Sequence, residues 1–397
     1  MDRRSFIQKS ALASGMFLVP SFLKGMEFMK LEQLSGFRNV IVIQLSGGND
    51  GLNTIVPFGN DIYHNLRPQI GKSKDSILKL NDELGLNGSC KELMELFDKG
   101  EMTVINNVGY PNPNRSHFRS TDIWHTASAS EEYIRTGWIG RYLDSNCQYP
   151  YEAIEHDSSL SLVMKGIDKK GIAVTDPNQL FQSTREKYFK SIVDHTQPSL
   201  LNEDNQGYLY KTMLETYSSA EYIFERSKIY DTKYTYPTTP FGKNLKGIAD
   251  MIVSGLKTRM FYTSIGGFDT HVNQVVSQDR LLKIYSEGIG ALVEDLKRND
   301  RFKDTLILTF SEFGRRASEN ASKGTDHGSA NNVFMIGGGL KQAGVLNSGP
   351  NLANLDKNGD IQFQVDFRSI YATILNNWLE VNDQQVLNHS FERLNFV

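Results

Sequence analysis

The sequence has few cysteines, and this shortage excludes two classes of protein. Cys90 and Cys147 are the only cysteines among 397 residues. A disulfide framework needs more cysteines, and a redox centre of the C-x-x-C type needs closer spacing. The sequence leaves open whether these two thiols form one disulfide or stay free and buried.

The chain also lacks an excess of positive charge. Lysine and arginine together number 43 against 46 acidic residues, which gives a formal net charge of −3. Because nucleic-acid binding needs a basic face, we expect no nucleic-acid partner. With 39% hydrophobic and 22% charged residues, the composition is that of an ordinary globular protein with a sizeable core.

A long apolar run is missing near the N-terminus. The run from Ser10 to Leu23 is shorter than the ~20 residues that span a bilayer, so we expect no stable transmembrane span. Arg3 and Arg4 precede it, as in a twin-arginine export signal. We assign residues 1–30 to such a signal and expect a periplasmic or otherwise exported protein. The alternative is an amphipathic segment with two coincidental arginines.

Four apolar runs rich in β-branched residues are typical of buried strands in a parallel sheet. Helical patterns separate several of them, which predicts an α/β fold with a mostly parallel central sheet. Since open α/β sheets bind ligands at the carboxyl ends of their strands, the loops after these runs are candidate functional sites. The runs are residues 37–45, 102–108, 259–265 and 304–310.

The loop that follows the last of these strands, Ser311 to Asn331, is the richest in functional side chains. Glu312, Asp326 and His327 are suitable ligands for a divalent cation. Arg315 carries a guanidinium fork that suits a phosphate or sulfate group. The other interpretation is a solvated, turn-rich loop held together by ion pairs.

The three other loops contribute further candidates. Asp50 follows the first strand, and Asp269 and His271 follow the third. Ser116 and His117 lie where a helix is predicted to begin. There Ser116 is a nucleophile if a metal lowers the pKa of its hydroxyl, with His117 as ligand or proton carrier, or else Ser116 only caps the helix. Asp269 and His271 point at one centre in an extended loop, or share a hydrogen bond in a turn.

Residues 149–240 differ in character from the rest of the chain, because their apolar runs are short and lysine and tyrosine are frequent. We predict that they form an insertion or cap within a single domain, residues 37–397. Arg141, which lies in an aromatic turn before this section, is a second candidate for anion binding.

Seven motifs resemble those of bacterial twin-arginine-exported proteins grouped as domain-of-unknown-function family 1501, and they cover nearly the whole chain in order. That family is similar in turn to the alkaline phosphatase and sulfatase superfamily. The resemblance therefore implies a three-layer α/β/α fold and divalent cations beside a nucleophile. The motifs are QLSGGNDGLNTIVPF (44–58), RSHF (115–118), TGWIGRY (136–142), GGFDTH (266–271), TFSEFGRR (309–316), ENASKGTDHGSAN (319–331) and DFRSIY (366–371).

The resemblance also implies roles for individual residues. Ser116 would match the nucleophile. In the function that we predict, His117 or Asp326 would handle the proton, and Arg141 or Arg315 would bind the anionic oxygens. Where the superfamily often has an aspartate–histidine pair after the later strand, this chain has Glu312 followed by a phenylalanine. The implied metal ligands are Asp50, Asp269, His271, Glu312, Asp326 and His327.

These features predict a metal-dependent hydrolase of phosphate or sulfate esters, acting on a small-molecule or glycan ester. The expected cofactor is one divalent cation among Zn²⁺, Mn²⁺, Ca²⁺ and Mg²⁺. The alternative is a non-catalytic exported binding or scaffold protein that keeps the alkaline-phosphatase-like fold and binds another exported protein.

Overall fold

The computed structural model describes residues 36–196 and 205–397, and the export signal predicted at 1–30 lies outside these ranges. Within them the strands are β1 (Asn39–Leu45), β2 (Ile55–Val56), β3 (Ile77–Lys79), β4 (Gly85–Asn87), β5 (Met102–Gly109), β6 (Ala153–Glu155), β7 (Ile172–Ala173), β8 (Met260–Ile265), β9 (Thr305–Phe310), β10 (Asn331–Gly337), β11 (Gly344–Val345) and β12 (Val365–Asp366).

The α-helices of the same ranges are α1 (Asp61–Leu66), α2 (Lys91–Asp98), α3 (His117–Thr126), α4 (Trp138–Asn146), α5 (Pro177–Thr184), α6 (Lys187–His195), α7 (Asn205–Ser227), α8 (Pro240–Val253), α9 (Gln274–Arg298), α10 (Phe367–Thr373) and α11 (Asp383–Leu387). All of them are too short or too polar to cross a bilayer.

The central sheet of the described residues has nine strands, and its main path runs β11-β5-β10-β9-β1-β8-β6-β7. Strand β1 lies between β9 and β8 and is parallel to both, with Val40 opposite Leu306 and Met260. Strand β10 is antiparallel to β9 and to β5, so β5 runs in the same direction as β9. The carboxyl ends of β5, β9, β1 and β8 therefore meet at one edge, and the predicted mostly parallel sheet is confirmed.

Helices cover both faces of this sheet, which confirms the predicted three-layer α/β/α arrangement. Alternate residues of β1 enter different cores: Ile41 and Ile43 pack with α2, α8 and α9, whereas Val40 and Val42 pack with α3, α4, α10 and α11. Every residue of β1 is buried. Since burying each such isoleucine or valine contributes about 1.5–3 kcal/mol, β1 contributes substantially to the stability of the fold.

The section predicted as an insertion is divided in two. Its first part supplies β6 and β7, which continue the central sheet beyond β8 in parallel register. Its second part supplies α5, α6 and α7, which pack on one another, and α7 also contacts α8. Strands of two or three residues are too short to produce a recognisable sequence pattern, so the sequence does not separate β6 and β7 from the predicted insertion.

The two cysteines are free and buried. Cys90 belongs to the core on one face of the sheet and Cys147 to the core on the opposite face. Burial raises the pKa of the Cys147 thiol to about 12 and raises the pKa of Cys90 as well. The question that the sequence left open is therefore answered in favour of two separate, unreactive thiols.

Candidate functional site

Three loops at the carboxyl edge of the sheet bring ligand-type side chains together. The loops follow β5, β8 and β9, and the first of them ends at the start of α3. His117, Asp269 and His327 each place one nitrogen or oxygen atom within 4.8 Å of the others. We call these three residues together with His271 the histidine–aspartate cluster.

Asp269 occupies the centre of the cluster. Its Oδ1 lies 3.0 Å from Nε2 of His327 and 3.0 Å from Nε2 of His271. Its Oδ2 lies 3.4 Å from Nε2 of His117. The two Nε2 atoms of His271 and His327 are themselves 3.0 Å apart. Three imidazoles therefore present the same ring nitrogen to a single carboxylate.

The opposite ring nitrogen of each histidine contacts an oxygen that accepts hydrogen bonds. Nδ1 of His117 lies 2.9 Å from Glu312 Oε1, and Nδ1 of His271 lies 3.3 Å from Asp326 Oδ1. Nδ1 of His327 lies 2.8 Å from the carbonyl oxygen of Arg115. Because a carboxylate or carbonyl oxygen can only accept, each Nδ1 carries the proton, and each ring turns its Nε2 towards the cluster. Only one of the two Nε2 atoms of His271 and His327 can donate at their mutual contact, so the other presents a lone pair there.

This arrangement fits a divalent cation. Lone pairs that converge on one another repel unless a cation or extra protons lie between them, and Nε2 of His117 is buried without any hydrogen bond among the described residues. Histidines whose other nitrogen is held by a carboxylate or carbonyl are typical of metal sites. A set of imidazoles with one carboxylate suits Zn²⁺ better than Ca²⁺ or Mg²⁺, which prefer oxygen ligands.

The electrostatics of the cluster keep its carboxylate ionised. Burial raises the pKa of Asp269, but hydrogen bonds from Arg315 and His327 outweigh this effect and hold the pKa well below its usual range. The hydrogen bond to Glu312 raises the pKa of His117, although partial burial opposes the shift. The raised pKa favours a protonated His117 beside Asp269 when no cation is bound.

Arg315 lies beside the cluster, where its guanidinium is bound by the protein and is not free to bind an anion. Its guanidinium is fully buried and donates to the carbonyl oxygens of Gly47, Gly48, Phe268 and Thr325. It also donates to Asp269 Oδ1 at 2.8 Å. With these donors engaged by the protein, the prediction that Arg315 binds a substrate anion is not supported by its surroundings.

Arg141 lies away from the cluster, contrary to its predicted role as an anion-binding residue. It is buried between helices and donates to the carbonyl oxygens of Thr126, Thr136 and Val386. Thr126 is the last residue of α3, where carbonyl groups lack helical partners. The physical reason for burying Arg141 is therefore to satisfy these carbonyls.

Asp50 is also occupied elsewhere, although it was predicted as a metal ligand. Its Oδ2 forms a buried ion pair with Arg67 Nη1 at 2.6 Å and accepts from Gln274. Its Oδ1 accepts from the backbone of Leu52 at 3.2 Å, so Asp50 caps a short turn. No sequence pattern indicates this pairing, because Arg67 belongs to none of the motifs and only the fold brings it to Asp50.

Glu312 and Asp326 lie behind the histidines. Glu312 is buried and accepts from the backbone of Gly47 at 2.8 Å and from Gln44 Nε2 at 3.2 Å, in addition to His117. Asp326 is exposed and contacts His271 and Asn320. Of the predicted ligands, the structure thus brings Asp269, His271 and His327 into the cluster, and His117 joins them there.

Ser116 occupies the N-cap position of α3, but its side chain makes no capping hydrogen bond. Its backbone N–H donates to Asn114 Oδ1 at 2.8 Å instead. The residue is exposed, and both of its neighbours contact the cluster, since Arg115 binds His327 and His117 is a member. Its hydroxyl is therefore available for chemistry rather than used for capping.

Comparison with known proteins supports the resemblance drawn from the motifs. Residues 225–392 match the model of a family described as protein of unknown function, DUF1501. No curated protein matches the chain. The match confirms the family resemblance over the part of the chain that contains Asp269, His271 and His327.

Several solved structures are similar to the chain at low sequence identity. The PsFucS1 sulfatase from Pseudoalteromonas sp. is 12% identical, with a TM-score of 0.39 over 96% of this chain and 74% of that one. A protein in the alkaline phosphatase superfamily from Vibrio parahaemolyticus is 11% identical, with a TM-score of 0.38 over 90% and 69%. The phosphonate monoester hydrolase SpPMH from Silicibacter pomeroyi is 9% identical, with a TM-score of 0.36 over 79% and 70%.

Proposed function

We propose that this protein is an exported, metal-dependent hydrolase of phosphate or sulfate esters. The observation that carries the proposal is the geometry of the cluster, in which the Nε2 atoms of three histidines converge on an ionised Asp269. The free hydroxyl of Ser116 next to it supplies a nucleophile. Export rests on Arg3, Arg4 and the short apolar run that follows them.

In this proposal the four cluster residues hold one divalent cation. A bound cation polarises the ester oxygen and lowers the pKa of an attacking hydroxyl. The imidazole-rich donor set favours Zn²⁺ over Mn²⁺, Ca²⁺ and Mg²⁺, which prefer oxygen ligands. Glu312, Asp326 and the carbonyl oxygen of Arg115 keep the three rings in the orientation that binding needs.

Ser116 and the start of α3 would act on the substrate itself. The helix has ten residues, and the N–H groups of its first turn favour a negatively charged group. The anionic part of an ester would therefore lie against this helix end, with its central atom near the Ser116 hydroxyl. Since Arg141 and Arg315 are bound to backbone carbonyls, the helix N-terminus takes over the anion-binding role proposed for them.

One observation favours the alternative, a non-catalytic exported binding protein. Asp269 already has a cationic partner in Arg315, at 2.8 Å. The predicted ligand Asp50 is engaged by Arg67. In this case the cluster would only stabilise the three loops, and a partner would bind elsewhere.

Metal content and turnover distinguish the two functions. We would purify the chain without residues 1–30, dialyse it, and compare it with His327→Ala, Asp269→Asn and a control, His195→Ala, in which an exposed histidine is removed. The hydrolase proposal predicts about one equivalent of metal in the parent and the control, and loss of it in the two cluster variants.

Turnover of aryl phosphate and aryl sulfate esters should then disappear in Ser116→Ala while its metal content stays at the parent level. A parent that remains metal-free after incubation with Zn²⁺, Mn²⁺, Mg²⁺ and Ca²⁺ would contradict the hydrolase proposal. Stoichiometric metal without cleavage of any ester would favour the binding protein.

A further inference from the structure

Helix α3 carries a polar stripe that faces the sheet. His117, Thr121 and His125 are spaced by four residues, so they lie on one face of the helix. Each contacts a side chain on, or just after, a different strand, and these strands, β9, β1 and β8, are adjacent in the sheet. The contacts are His117 Nδ1 to Glu312 Oε1 at 2.9 Å, Thr121 Oγ1 to Gln44 Nε2 at 3.4 Å, and His125 Nε2 to Tyr262 Oη at 2.9 Å.

The strand side chains are also bonded to one another. Gln44 Nε2 donates to Glu312 Oε2 at 3.2 Å, and the Tyr262 hydroxyl donates to Gln44 Oε1. Gln44, Tyr262, Glu312 and His125 are all more than nine-tenths buried. A continuous, buried hydrogen-bond chain therefore leads from His125 through Tyr262, Gln44 and Glu312 to the cluster residue His117.

All hydrogen bonds from His125 to Glu312 run in the same direction, with each donor on the side away from Glu312. Burial lowers the pKa of His125 to about 3, so this imidazole is neutral. Because Tyr262 gives its one proton to Gln44, His125 must donate its Nε2–H to the tyrosine oxygen. The amide of Gln44 then donates to Glu312. Bonds aligned in this way strengthen one another in a buried setting.

Glu312 therefore receives donors on both carboxylate oxygens. Oε1 accepts from His117 and from the backbone N–H of Gly47, and Oε2 accepts from Gln44. These bonds satisfy a buried negative charge without a cation. Glu312 contacts His117 at Nδ1, whereas Nε2 of the same ring faces Asp269 at 3.4 Å. A cation held between this Nε2 and Asp269 would therefore lie on the side of the ring away from Glu312.

We propose that Glu312 is a positioning residue and not a metal ligand. It fixes the proton of His117 on Nδ1 and aims Nε2 at Asp269, while Gln44, Tyr262 and His125 hold Glu312 in place. The inference rests on the proposed function, in which His117 binds a cation. The same stripe holds the first turn of α3, and with it Ser116, over the carboxyl edge of the sheet.

Metal affinity separates a positioning residue from a ligand. We expect Glu312→Gln to bind one equivalent of Zn²⁺ with a dissociation constant ~10–100-fold higher than that of the parent, the usual effect of changing a residue behind a metal ligand. Asp269→Asn should lose stoichiometric binding, and the exposed control Glu131→Gln should match the parent. Loss of stoichiometric binding in Glu312→Gln, or an affinity equal to the parent's, would overturn the proposal.

A second measurement does not depend on any metal. Histidine ¹H–¹⁵N correlation spectra of the metal-free protein at pH 9, assigned with His117→Gln, report which ring nitrogen of His117 carries the proton. We expect the Nδ1–H form in the parent and a shift towards Nε2–H in Glu312→Gln. A parent in the Nε2–H form would refute the role of Glu312. If the Nδ1–H form is found but no metal binds, the positioning stands and the proposed hydrolase function fails.

Tyr262→Phe keeps the experiment decisive should Glu312→Gln not fold. It retains the aromatic ring and removes only the hydroxyl that links Gln44 to His125. The same change in the His117 tautomer is expected, to a smaller extent, whereas Tyr188→Phe on the exposed surface should leave the spectrum of His117 unaltered. An unaltered spectrum in Tyr262→Phe would show that the hydrogen bonds from Tyr262 and His125 have no role in positioning Glu312.

Discussion

Arg315 and Arg316 are neighbours in sequence but have opposite surroundings. Arg315 pairs with His327 in an antiparallel bridge, and its side chain is fully buried between the loops of the cluster. Successive side chains of an extended segment point in opposite directions, so the Arg316 side chain turns outward and is 39% exposed. The two residues therefore form a natural pair of test and control.

We expect Arg315→Lys to lower the free energy of unfolding by about 2–5 kcal/mol. Lysine keeps the charge, but its three donors in tetrahedral geometry cannot replace the planar fork, so buried carbonyls such as that of Phe268 lose their partners. Arg316→Lys should stay within about 0.5 kcal/mol of the parent. Urea denaturation of the two variants measures the difference, and equal stabilities would show that the buried carbonyls do not depend on the guanidinium.

At the scale of residues, the sequence predicted which side chains lie at the carboxyl edge of the sheet better than it predicted their hydrogen-bond and ion-pair partners. Asp269, His271 and His327 were expected at one centre because they follow strand ends, and the fold brings them together. Asp50 and Glu312 have the same chemistry and the same kind of position, yet Asp50 meets Arg67 and Glu312 meets His117. The cation or donor that faces a given carboxylate is set by contacts between segments that are distant in sequence. A single sequence does not show these contacts.

At the scale of elements, the cluster depends on two loops that touch closely. The loop after β8 and the loop between β9 and β10 are joined by backbone hydrogen bonds from Asn273 to Ser322 at 3.0 Å and from Gln274 to Lys323 at 2.9 Å. At Gly324 a Cβ atom would come within 2.2 Å of the carbonyl oxygen of His271. Only glycine allows the two backbones to approach to this distance.

Gly324→Ala should therefore force the two loops apart. We expect a loss of about 1–3 kcal/mol in the free energy of unfolding, as for other overpacked sites, together with weaker metal binding because His271 moves. Gly266→Ala is the matched control, since a Cβ atom there has no neighbour within 4 Å. Thermal denaturation and metal titration of both variants test this, and a Gly324→Ala protein that behaves like the control would show that the loops adjust freely.

The length of an element decided how well the sequence predicted it. The longer strands β1, β5, β8 and β9 were predicted within two residues of their observed ends, because each is an apolar run of at least six residues. The stripe of α3 also had a visible signal, the spacing of four between His117, Thr121 and His125. Strands β6 and β7 had none, since parallel pairing to a neighbour and not local pattern makes them part of the sheet.

At the scale of the whole molecule, stability should depend on pH through groups buried in its core. Glu155 ends β6, is only 3% exposed, and accepts hydrogen bonds from the backbone and hydroxyl of Ser161 at 2.7 and 3.0 Å. Burial raises the pKa of Glu155 to about 7, and the bonds from Ser161 oppose the shift only in part. The folded protein thus keeps a proton that the unfolded chain releases near pH 4.5.

Because the pKa of Glu155 is higher in the folded state, its contribution to stability is complete below about pH 4.5 and is lost as the pH rises through about 7. A shift of this size corresponds to roughly 3 kcal/mol. Glu155→Gln cannot ionise, so the parent should lose about this much stability relative to the variant between pH 4.5 and 8.

His125, whose pKa burial lowers to about 3, acts with the opposite sign at low pH, but it is present in both proteins and cancels in the difference. Urea denaturation at half-unit pH intervals gives the two curves, and parallel curves would mean that Glu155 is ionised in the fold with a compensating partner.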